Sequence, residues 1–135
     1  NSALNYQIMI RLYAEGKKYL ALCLELKDAK SILNNCSHAL KKEKTDFRKL
    51  SYLNAKTEVK EIIDEIAELK IQICCSNEFE SLNDIDKKIY ELYFFENKSH
   101  GQIEAECNLS HGNLCRIIRR ICFCYICDIY ETNGC

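Results

Sequence analysis

Ser99-His-Gly-Gln-Ile-Glu-Ala-Glu-Cys-Asn-Leu-Ser-His-Gly-Asn-Leu-Cys-Arg-Ile-Ile-Arg-Arg-Ile121 is the stretch whose reading decides the fold. Ser99 can cap a helix in which Ile103 and Cys107 face inward. Asn108-Leu109 then makes a sharp turn, because Asn tolerates the left-handed backbone that ends a helix. Ser110 caps a second helix, predicted to run to about Tyr130. On that helix Leu114, Ile117, Ile118 and Ile121 turn toward a core, which leaves His111, Asn113, Arg116, Arg119 and Arg120 largely on the outer faces. Two helices, a tight turn and arginines spaced along the second are expected here.

Upstream, Asn83 or Asp84 caps a helix carrying Ile85, Ile89, Leu92 and Tyr93, with Asp84 and Asp86 favourable at its positive end. Asn97-Lys98 ends it. Residues 76–81 lose periodicity and read as a linker. Before them lie two long apolar stripes at alternating steps of three and four. The first runs through Leu12, Tyr19, Leu22, Leu26, Ala29, Leu33, Cys36 and Leu40. The second runs through Tyr52, Ala55, Val59, Ile62, Ile66, Leu69 and Ile73. Gly16 is a possible break in the first, so that Leu4 to Glu15 forms a separate short helix. The polar run Lys41-Lys-Glu-Lys-Thr-Asp marks a turn, with Thr45 or Asp46 capping the second long helix. Such stripes fit an antiparallel hairpin within one chain, the favoured arrangement, or a coiled coil between chains. The domain division expected is 4–76 for the helical hairpin and 82–131 for the C-terminal unit.

The composition supports an all-α chain. There is no Pro, only four Gly, 47% hydrophobic and 29% charged residues, which leaves few turn formers for an all-β fold. A formal net charge of −1 argues against coating nucleic acid or an anionic membrane by bulk electrostatics. No apolar run reaches the roughly 18–20 residues of a membrane span, and no signal-like segment opens the chain, so a cytoplasmic protein with no membrane partner is expected. Ten cysteines without the short, turn-rich frame of a secreted domain read as reduced thiols.

The segment Leu82-Asn-Asp-Ile-Asp-Lys-Lys-Ile-Tyr-Glu-Leu-Tyr-Phe-Phe-Glu-Asn-Lys-Ser99, continued through Gln102 to Ile121, resembles region four of bacterial sigma factors. It is closer to the small phage-encoded regulators of the ArpU and RinA type. Asp86 to Phe95 takes the place of that family's first helix, Ser99 and Ile103 its serine and isoleucine, and Asn108-Leu109-Ser110 its turn. Gly112-Asn113-Leu114 stands for its Gly-Thr-Val, followed by Arg116, Arg119 and Arg120. Glu104 replaces a usual alanine, Asn108 a glycine, and Tyr93 and Ile117 fall where arginines are common. The resemblance covers about the last 50 residues and implies a helix-turn-helix that binds double-stranded DNA, at promoters served by bacterial RNA polymerase. It implies a phage or prophage transcriptional regulator in the bacterial nucleoid.

In a motif of this kind the first turns of the second helix enter the major groove, so Asn113 and Arg116 are the candidates for base edges. Ser110 and His111 would lie near phosphates at the helix N-terminus. Arg119 and Arg120 would clamp the backbone. From residue 83 to 135 six basic and eight acidic residues give a net of −2, so one copy should bind non-specifically only weakly. A homodimer built on the long helices, or tethering to polymerase, would compensate. Two other readings stand beside this one: a module that docks on polymerase or a sigma factor with little DNA binding, and a recognition subunit for phage DNA packaging.

No enzyme, cofactor or metal is expected. Cys122 and Cys124 would point about 200° apart on a helix and cannot share an ion. Cys74-Cys75 lacks a matching second pair, and His38, His100 and His111 read as surface residues.

Overall fold

A computed structural model describes residues 2–122, and their side chains from 11 to 121. Among these residues the protein is all-helical: α1 spans Ser2–Lys42, α2 Asp46–Cys74, α3 Asn77–Glu80, α4 Asp84–Tyr90, α5 His100–Cys107 and α6 His111–Cys122. A π-helical segment, Glu91–Phe95, extends α4. No described helix is long and apolar enough to cross a membrane. Whether α6 continues toward Tyr130, as the sequence suggests, and what Cys124 and Cys127 do, lie outside the described residues.

The chain forms two compact units that do not follow sequence order. Residues 21–70 make one, and, among the described residues, 2–20 with 71–122 make the other. The division expected from the sequence kept Leu4 to Ser76 together; instead the first half of α1 belongs with the C-terminal helices.

In the 21–70 unit the two apolar stripes face each other as a hairpin. Ala29, Val59 and Ile62 form its buried centre, with Leu26, Leu33 and Ile66 packed against them. The small Ala29 opposite β-branched partners suits close approach of two helices. At the connection Thr45 Oγ1 accepts the backbone N–H of Arg48 (3.1 Å), satisfying an orphan donor of α2. Arg48 in turn donates to the Ala39 carbonyl (2.7 Å), supplying a cation and a donor at the C-terminal end of α1, where both are favourable. Burial pushes the Cys23 thiol above its ordinary range, because desolvation disfavours the thiolate.

Aromatic residues organise the other unit. Phe94, fully buried, lies 4.6 Å from the Tyr90 ring, 4.8 Å from Tyr93 and 6.1 Å from Tyr13. The Tyr19 and Phe95 rings pack at 4.7 Å with their planes tilted by 57°. Tyr90 is buried yet satisfied, its hydroxyl donating to the Leu12 carbonyl at 2.7 Å. The π turn fits this crowding. Glu96 N–H bonds to the Glu91 carbonyl (3.0 Å) and Lys98 N–H to that of Leu92 (2.9 Å), so an extra residue is accommodated and Leu92 and Phe94 both turn inward. Asn97, with φ 52°, ends the segment in the left-handed region.

Gly16 does not break α1. It is buried within an unbroken helix, and a Cβ there would meet three ring carbons of Phe94 at 2.5–2.8 Å. The glycine is a notch for an aromatic ring. Gly16→Ala is therefore expected to destabilise the protein by about 1 kcal/mol, measured as a lower urea midpoint. Overpacking of about 1–3 kcal/mol outweighs the roughly 1 kcal/mol by which Ala favours a helix over Gly.

The presumed linker 76–81 also differs from expectation. Ser76 caps the one-turn helix α3, accepting the Phe79 N–H (3.2 Å), and Phe79 is buried at 5.6 Å from Tyr90. A single apolar residue among polar ones carries no periodicity, yet one capped turn is enough to bury it.

Candidate nucleic-acid interface

α5 and α6 owe their placement to three local devices. Ser99 and Gln102 form a reciprocal capping box: Gln102 N–H donates to Ser99 Oγ (3.2 Å), and Ser99 N–H to Gln102 Oε1 (2.9 Å). Asn108 closes α5 in the left-handed conformation (φ 53°, ψ 52°), and Leu109 N–H returns to the Glu104 carbonyl (3.0 Å), a 6→1 bond of Schellman type. Ser110 Oγ then accepts the N–H of Asn113 (3.2 Å), so Ser110 caps α6 as the sequence predicts. Ile103, Leu114 and Ile121 are buried beneath the two helices, with Ile117 and Ile118 half-buried.

Beside Ser110, which is the cap of α6, the residues singled out from the sequence divide into three groups. Asn113, Arg116 and Arg119 are exposed on α6, two turns of one helix surface. His111 is exposed but turned toward the protein: Nδ1 lies 3.0 Å from Glu104 Oε2, and Nε2 lies 3.6 Å from Cys115 Sγ. Arg120 reaches back across the fold, donating from Nη2 to Asp86 Oδ1 at 2.6 Å.

That last bond joins α6 to the first turn of α4. The Asp86 side chain is 7% exposed and that of Arg120 is 55% exposed. A buried carboxylate needs a partner, and the guanidinium supplies it. The sequence offered no sign of this pairing, since 34 residues separate the two. Arg120→Ala is expected to cost about 1–3 kcal/mol, read as a lower thermal midpoint, because a buried acceptor loses its charged donor. The lower part of that range applies, since water at the open side of the guanidinium can reach the vacated place.

Sequence reasoning read His100 as a surface residue and passed over Cys115. Cys115 is buried and His100 half-buried, and with His111 their ligand-type atoms all lie within 4.8 Å of one another. The His100 and His111 ring centroids are 6.0 Å apart. The available signal was the i, i+4 spacing of His111 and Cys115, which places both on one helix face. His100 joins them only through the turn. Cys23, Cys36, Cys74, Cys75, Cys107 and Cys115 are in the thiol form, outside any disulfide.

No family model, curated protein or solved structure matches this chain.

Proposed function

We propose that the protein is a non-enzymatic, sequence-specific DNA-binding regulator of transcription, in which α5, the Asn108–Ser110 turn and α6 act as a helix-turn-helix. One observation carries the reading: a helix capped at Ser110 and anchored by buried Leu114 and Ile121 leaves Asn113, Arg116 and Arg119 exposed. Side chains on the first turns of such a helix reach base edges, Arg pairing with guanine and Asn with adenine. Arg119, a turn further on, faces phosphates. Arg120 holds α6 to α4, and so positions the reading residues more than it contacts DNA. The resemblance to sigma region four and to small phage regulators gives this surface its expected context, a bacterial promoter.

The C-terminal half has a net charge of −2 from six basic and eight acidic residues, so one copy has little non-specific attraction for phosphate. Pairing of two chains raises the effective concentration of the second reader. Leu24, Ile32, Phe47, Leu50 and Leu53 of the 21–70 unit are each more than half exposed, and apolar surface of this kind favours a homodimer. The acidic balance also supports a second reading, a module that docks on polymerase or a sigma factor and touches DNA little.

Selection of bound fragments from random duplex DNA, followed by affinity measurement at several salt concentrations, tests the proposal. Enrichment of a defined site with salt-sensitive affinity is expected. Failure to enrich any sequence, with nuclease-resistant capture of polymerase, overturns it in favour of docking.

A further inference from the structure

Two pairs of side chains face each other across the Asn108–Ser110 turn, each spaced i, i+4 on its helix. α5 contributes His100 and Glu104, and α6 contributes His111 and Cys115. The potential ligand atoms of His100, His111 and Cys115 lie within 4.8 Å of one another. We propose that these three residues bind a divalent metal ion of the zinc class, which fastens the start of α5 to the first turn of α6.

One of the three ligand separations already has coordination spacing, and the others, within 4.8 Å, need only shorten on binding. Two ligands of a tetrahedral zinc, one nitrogen at about 2.0–2.1 Å and one sulfur at about 2.3 Å, stand roughly 3.6 Å apart. The His111 Nε2 to Cys115 Sγ separation is 3.6 Å. The second observation is Glu104, whose Oε2 lies 3.0 Å from the other ring nitrogen of His111. A carboxylate that accepts from Nδ1–H fixes the ring orientation and the tautomer with Nε2 open to a metal, the usual support of a metal-bound imidazole. Glu104 is therefore a positioning residue. Cys115 is buried while His111 keeps a half-exposed side chain, which gives the ion an approach from solvent.

The donor set selects the metal. One thiolate with two imidazoles suits a borderline-soft ion and discriminates against magnesium and calcium, which prefer oxygen. Three protein ligands leave a fourth position for water or an added ligand. Coordination needs the thiolate, so binding transfers the Cys115 proton to solvent. The site stands independently of the DNA-binding reading, though it sits under the same turn.

Cobalt(II) reports the site directly in the reduced, full-length protein. Titration is expected to produce a thiolate-to-cobalt charge-transfer band in the near ultraviolet and tetrahedral d–d bands in the visible, both bleached by zinc. Cys115→Ser is expected to remove the charge-transfer band. His100→Ala and His111→Ala, verified as folded by circular dichroism, are each expected to weaken cobalt binding at least about tenfold, and Glu104→Gln by about 10–100-fold. The double variant Cys74→Ser/Cys75→Ser should titrate like the parent. Absence of the charge-transfer band in the parent overturns the proposal. So do its persistence in Cys115→Ser, which would assign cobalt to other cysteines, and unchanged affinity in both histidine variants.

Discussion

Phe94→Ala is expected to cost about 3–5 kcal/mol, the largest single loss of stability predicted for this protein. The ring is 1% exposed and sits among Tyr13, Tyr90, Tyr93 and the Gly16 notch. Truncation would leave a cavity that these neighbours cannot readily fill, since Tyr90 is tied by its hydroxyl to the Leu12 carbonyl and Gly16 has no side chain to offer. A loss of this size approaches the whole stability of many small domains. Chemical denaturation followed by circular dichroism measures it. An unfolding free energy within about 1 kcal/mol of the parent would mean that the first half of α1 does not depend on this ring. The comparison with Gly16→Ala is informative, because one change empties the notch and the other overfills it. Both are expected to destabilise.

Arg116→Ala is expected to leave stability within about 0.5 kcal/mol, as for an exposed side chain remote from caps and cores. The same change should reduce affinity for the selected DNA site by about 1–3 kcal/mol, roughly 5- to 150-fold, and relax selectivity at one base position. Arg120→Ala should show the reverse emphasis, with lost stability first and DNA affinity following through the position of α6. Fluorescence anisotropy on specific and scrambled duplexes, beside thermal melts, separates the two. Equal losses on specific and scrambled DNA for Arg116→Ala would assign that residue to phosphate instead of a base edge, since a phosphate contact weakens all sequences alike.

The legible parts of the fold are those with local causes. The stripes from Leu12 to Leu40 and from Tyr52 to Ile73 turned inward along their lengths, because helical period and burial are both one-dimensional signals. Thr45, Asn83, Ser99 and Ser110 cap helices as their residue types suggest, each bond reaching only three residues along the chain. Asn108 took the left-handed conformation for the same reason. Gly16 was misleading, since a glycine weakens a helix by propensity alone but is retained wherever another ring must approach closely. Phe79 escaped notice because one capped turn has no period.

The sequence by itself determined the helical character of the described residues, the caps at Thr45, Asn83, Ser99 and Ser110, the hairpin stripes and the exposure of Asn113, Arg116 and Arg119 on α6, since all of these follow from steps of three and four and from side chains bonding to nearby backbone. Only the tertiary structure decided that residues 2–20 pack with residues 71–122, that Arg120 belongs to Asp86, and that His100 meets His111 and Cys115 beneath a three-residue turn. Those pairings join positions 11 to about 80 residues apart, and a contact at that separation is set by packing of buried rings and carboxylates, which leaves no periodic trace along the chain.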